Sequence, residues 1–125
     1  MPVTTKQNRA GNESKLWEIK DGQHRLTIHG DHGEVEHLDH GLRVSSEITE
    51  IWSIDRSDIS KADSHTVWKR AISRDDFAAS THIVTKMYSD SETYHVTVHY
   101  KAFDGANCIF ERDFNDSFRR DLTRQ

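Results

Sequence analysis

Proline and cysteine are all but missing from this sequence: Pro2 and Cys108 are the only ones among 125 residues. One cysteine cannot close an internal disulfide, which fits a reducing compartment and makes the cytoplasm the expected location. With proline confined to Pro2, the edges of any sheet must be protected by charge, bulges or a partner. Apolar runs are short, and none approaches the roughly 20 residues a membrane-spanning helix needs, so no membrane association is expected. The opening stretch MPVTTKQNRAGNES has no apolar core of the kind a secretory signal requires. Gly-rich phosphate loops are also absent.

What is present is a mixture of both charges, with a net charge of −4. No basic stripe interleaved with aromatics runs through it, so nucleic-acid binding is not expected. The length suits one domain with one core. With 34% apolar and 30% charged residues, that core is thin, and the tryptophans, tyrosines and phenylalanines must supply much of its area. A thin core favours a partner.

Period-two alternation dominates from Leu16 onward, the mark of strands with one face buried. Tyr94, Val96, Val98, Tyr100 and Ala102 share one parity, against His95, Thr97, His99 and Lys101. Leu42, Val44, Ile48, Trp52 and Ile54 share another, and Ile51 interrupts it, suggesting a bend. His24–His29 and Glu34–Asp39 flank Gly30-Asp31-His32-Gly33, which reads as a tight hairpin turn. Polar turns are expected at Ser73–Asp76, Ser89–Glu92 and Asp104–Asn107. No sustained 3.6-residue stripe appears. The expected organisation is a flexible tail over residues 1–14 and one β-domain over 15–125, a sandwich or barrel.

The chemistry-bearing residues form no recognisable centre. The nine histidines include no H-x-H pair to aim two ligands from one strand face, so no metal and no cofactor is expected. His29/His32 and His37/His40 have odd spacing, which puts each pair's members on opposite strand faces. A cross-strand approach of His29 to Glu34 stays open. No G-x-S-x-G elbow is present, and adjacent residues such as Asp63-Ser64-His65 alternate in direction, so no catalytic residue is assigned. Cys108 shares a parity with Phe110 and Phe114 and reads as a buried structural thiol. Arg119-Arg120 reads as solvated or paired with Asp113 or Asp116. Trp17, Trp52, Trp68, Tyr94 and Tyr100 are candidates either for the core or for an aromatic-lined ligand cavity.

One family shares much of this pattern. Tyr94-His95-Val96-Thr97, Lys101-Ala102-Phe103-Asp104-Gly105, Ile109-Phe110-Glu111-Arg112-Asp113-Phe114 and Arg120-Asp121-Leu122 resemble the closing strands of the X-Pro dipeptidyl-peptidase C-terminal domain. That domain ends serine hydrolases related to cocaine esterase, α-amino-acid ester hydrolase and glutaryl-type acylases. Gly41-Leu42 through Trp52-Ser53-Ile54, and the stretch Thr81–Asp90, follow in the order the resemblance implies. It spans Leu16 to Thr123 and departs from the family pattern at Asp58-Ile59-Ser60, Phe114 and Arg119.

The resemblance implies an antiparallel, jelly-roll-like (galactose-binding-like) β-sandwich. In that family the catalytic serine, aspartate and histidine belong to a preceding α/β-hydrolase portion that no position here matches. The function expected is therefore a non-catalytic accessory or interaction domain, not an enzyme on its own. Its partner would be a second copy of the chain or a separately encoded hydrolase. The alternative is a small-molecule-binding sandwich or barrel lined by the five aromatics.

Overall fold

Alternating sequence becomes strand throughout the computed structural model, which describes residues 4–58 and 61–119. Eight strands follow in chain order: β1 Thr5–Arg9, β2 Asn12–Lys20, β3 Gln23–His37, β4 Leu42–Asp55, β5 Ala62–Arg74, β6 Phe77–Ser89, β7 Thr93–Asp104 and β8 Asn107–Arg119. All pairings are antiparallel and all belong to one sheet. β3 to β8 form a meander, each strand beside the next in sequence. β1 and β2 share the other edge of β3, with β2 on Gln23–Asp31 and β1 on Glu34–His37. The all-β, antiparallel class is as expected. The strand order is that of a single layer, and a jelly-roll arrangement is not established by it.

The turns follow local chemistry. Asp21 and Gly22 both take positive φ, 52° and 78°, the conformation that a two-residue hairpin matching the strand twist requires. The turns anticipated between β5 and β6, β6 and β7, and β7 and β8 lie where the alternation lapses.

Three local readings need correction. Gly30-Asp31-His32-Gly33 is not a hairpin: β3 runs through it, with the register slipping between Asp31 and Glu34. The extra residues form a bulge, and glycine there serves a bend within one strand instead of a reversal. Ile51 marks no bend either, since it pairs in unbroken register with Thr27 and His65. Residues 5–9 and 12–14, within the stretch read as a tail, belong to β1 and β2 because β3 offers them an unpaired edge. Pro2, Ile59, Ser60 and Arg120-Asp121-Leu122 lie outside the described residues.

Because paired residues share a face and neighbours along a strand alternate, the register sorts the whole sheet. One face carries Trp17, Ile19, Leu26, Ile28, Val44, Ile48, Trp52, Ile54, Trp68, Ile72, Ile83, Met87, Tyr94, Val98, Tyr100, Phe110, Phe114 and Phe118. The opposite face carries His29, Glu47, Lys69, His82, Lys86, His95, His99, Lys101, Glu111 and Asp113, with Leu16, Ile51, Val67, Val84, Tyr88 and Phe103 among them. The chain is thus an amphipathic sheet one layer thick.

Among the described residues nothing covers the apolar face. No hydrophobic side chain among the described residues is buried, and Trp17 is 72% exposed, Trp52 43% and Trp68 42%. The chain exposes 9281 Å², whereas a folded monomer of 14.5 kDa is expected to expose about 6,900 Å². No helix of the described residues is long and apolar enough to cross a membrane.

Candidate functional site

The five aromatics singled out in the sequence all stand on the apolar face. Trp17 pairs with Leu26 and Leu26 with Trp52 along one cross-strand row. Trp68 and Tyr100 both flank Ile83 in the next row but one, and Tyr94 pairs with Phe118 at the sheet end. They are therefore spread over the sheet, and the principal clefts are lined by other residues. The indole N–H of Trp52 points at the Glu50 carboxylate, 3.4 Å away, so the one acid in mid-face has a donor beside it.

Asp63-Ser64-His65 does not assemble. Ser64 pairs with Trp52 and Met87 on the apolar face, while Asp63 and His65 stand on the polar one. Cys108 corrects the sequence reading: it is exposed. The register slips between Ala102 and Phe103, so that Cys108 pairs with Phe103 and Phe110 with Ala102. Ile109 is the inserted residue, and it puts Cys108 and Phe110 on opposite faces. A parity count across a bulge inverts.

Most of the histidines settle into pairwise contacts. His29 places Nδ1 3.0 Å from the Thr49 hydroxyl and Nε2 3.7 Å from Glu47, not against Glu34. His95 meets the Ser117 hydroxyl at 3.0 Å and stacks on Tyr88. His37 stacks on His40, the centroids 5.2 Å apart. His99 bonds the Asp113 carboxylate through Nδ1 and lies 3.0 Å from Glu111 through Nε2. No group of three or more metal-ligating side chains converges among the described residues.

The polar face also carries an arrangement that sequence inspection missed. Asp31, Glu47, Lys69, His82, Lys101 and Glu111 come from six consecutive strands and pair in direct register, forming one row across the sheet. Acids stand at the ends and bases in the middle. A cleft of about 420 Å³ opens along this row, with Arg9, Ser45, Glu47, Lys69, Ala71, Ser80, His82 and Phe103 in its lining. Burial, then Lys69, Lys101 and His99, push His82 below the ordinary histidine pKa. At the acidic end, the Arg9 guanidinium and the Gly33 N–H hold Asp31 below the usual carboxylate range. Only the spacing between strands could have revealed the row, and a one-dimensional pattern does not contain it.

Comparison with protein-family models, with curated proteins and with solved structures finds no match.

Proposed function

We propose that the chain is a non-catalytic accessory module, one sheet of a β-sandwich completed when its apolar face closes on the same face of a second copy. The observation that carries this reading is the uncovered face, whose aromatic and branched side chains are nowhere buried. A monolayer sheet leaves that face in water, and the stable solutions place a second layer against it. The resemblance to a hydrolase's terminal sandwich supports the same picture of a scaffold domain.

Dimensions agree. Strands of 12 to 15 residues reach about 40 Å, and seven strand positions at about 4.8 Å give roughly 30 Å across. The face therefore offers about 1,200 Å², more than the ~800 Å² per partner of a stable interface. The surface in excess of a compact monomer, about 2,400 Å², is of the same order.

Self-complementarity favours a second copy over an unrelated layer. β5 is the middle strand, with Ile48 and Ile83 on either side of Trp68. A two-fold axis parallel to β5 sets Trp68 against Trp68 of the second copy and Ile48 against its Ile83, with the layers ~10 Å apart. The same operation brings Tyr100 over the segment of β3 that carries Gly30, a small residue beneath a large one. At the rims it joins β2, bearing Glu13 and Lys15, to β8, bearing Arg112 and Asp116. Glu50 comes under the strand carrying Thr85, whose hydroxyl can donate to it.

Sedimentation equilibrium at micromolar concentration tests the reading. A species of twice 14.5 kDa is expected. A monomer that does not associate as concentration rises refutes it.

A further inference from the structure

The face opposite the proposed interface carries a separate site. We infer that the cleft across β4, β5 and β6 on the polar face binds a small organic oxyanion, a phosphate or carboxylate group held by Lys69 and His82 with the hydroxyls of Ser45 and Ser80.

Charge is the first argument. Lys69, His82 and Lys101 stand directly opposite one another on adjacent strands. Such neighbours have Cβ atoms ~5 Å apart, so the two lysines flank the His82 imidazole and a proton on it would stand between two cations. Each acid of the row also has a partner outside it, although Glu47 still lines the cleft. Glu47, opposite Lys69, lies 3.7 Å from His29. Glu111 lies 3.8 Å from Lys101 but 3.0 Å from His99. Asp31 holds Arg9 at 2.5 Å and also accepts the Gly33 N–H. Lys101 has Glu111, but no acid among the described residues forms an ion pair with Lys69, so its ammonium is left to a ligand. A bound oxyanion between Lys69 and His82 supplies a counter-charge to the ammonium and favours the protonated imidazole beside it.

Shape is the second. Ser45, Ala71 and Ser80 form the adjacent row, with Ala71 paired to both serines. The small Ala71 side chain leaves space between two hydroxyls that can donate to the same anion. Phe103 pairs with Ser80 and closes the end of the cleft with an apolar wall. About 420 Å³ exceeds the needs of an inorganic anion and falls within the range of small-molecule pockets. The ligand class that fits has an anionic head at Lys69 and a modest apolar body against Ala71 and Phe103.

Affinity should depend on pH through His82. The groups that face it are Lys69 from β5, Lys101 and His99 from β7, with Glu47 on β4 and Glu111 on β8 farther along the row. The cations disfavour its protonated form. As pH falls His82 gains its proton and becomes a further cation, so binding tightens on the acid side.

Sulfate is the probe, because it stays a dianion across the pH range used, unlike inorganic phosphate. Amide shifts of Lys69, Ser80 and His82 are followed on titration at constant ionic strength against chloride. Saturable shifts are expected, at least about threefold tighter at pH 5.5 than at pH 8. Lys69→Gln should weaken binding at least about fivefold at both pH values, and His82→Gln should flatten the pH dependence. Lys86→Gln, on the same face but outside the cleft, should change neither. Phenyl phosphate and benzoate then compete for the site, and displacement of sulfate by one of them identifies the anion class. Shifts that rise linearly, that chloride reproduces, or that survive Lys69→Gln would overturn the proposal, as would failure of both aromatic anions to compete. None of these readouts depends on self-association.

Discussion

The Arg9 guanidinium lies 2.5 Å from the Asp31 carboxylate, tying the short first strand to the bulge of β3. The same carboxylate accepts the Gly33 N–H at 2.8 Å, so one side chain both shapes the bulge and anchors β1. Both contacts hold Asp31 below the usual carboxylate range, the Arg9 hydrogen bond foremost.

Stability of this corner should therefore vary with pH in one direction. A carboxylate with a lowered pKa in the folded state contributes stability that is present above its unfolded value, about 3.9. That contribution is lost as pH falls through the lowered folded value. Hydrogen exchange at Lys6 and Gln7 should accelerate on acidification below about pH 4 relative to amides in β5. Asp31→Asn should show fast exchange already at neutral pH. Equal acid sensitivity of both strands would contradict this assignment.

Gly33 has φ of 72°, and a Cβ there would meet the Arg9 carbonyl oxygen at 2.1 Å and the Gly11 nitrogen at 2.8 Å. Backbone atoms cannot yield as a flexible side chain can. Gly33→Ala should cost at least about 1–3 kcal/mol in urea unfolding, or detach β1. Gly105 has φ of 58° but open space around it, so Gly105→Asn should cost under ~1 kcal/mol, since asparagine tolerates that conformation.

Cys108 is exposed on the edge strand, on the polar face. It should react with a thiol reagent in the native protein at nearly the rate seen in denaturant. Association through the apolar face should leave that rate unchanged. Protection that vanishes only on unfolding would place the thiol in a buried setting.

Trp68 sits at the centre of the proposed interface. Trp68→Ala should weaken association by at least ~2 kcal/mol, about thirtyfold, as a central aromatic does. Arg70, whose guanidinium lies over the Trp68 ring, comes close to its own copy near the axis, so Arg70→Gln should tighten association, most clearly at low salt. Lys86→Glu, on the polar face, should leave the dimer intact. Sedimentation of the three variants checks each expectation.

Strand positions were readable where alternation is uninterrupted, as in Tyr94 to Ala102 and Leu42 to Ile54. They were misread wherever a bulge adds a residue. At Ile109 the parity that made Cys108 look buried inverts, and Gly30 and Gly33 suggest a reversal where there is only a bend. Asn12 to Ser14 carry little apolar signal, yet they form strand because β3 presents a free edge. The oxyanion cleft was illegible for a different reason: Lys69, His82 and Lys101 are 13 and 19 residues apart in sequence and meet only through register.

By itself the sequence determined that this chain is all-β and that most strands from β2 onward have one more apolar and one more polar side, because side-chain direction alternates with every residue whatever the neighbours do. The tertiary structure decided which side chains stand abreast, and hence the charged row and the continuous aromatic face. Register depends on turn lengths and bulges, where a single residue more or less exchanges the two faces.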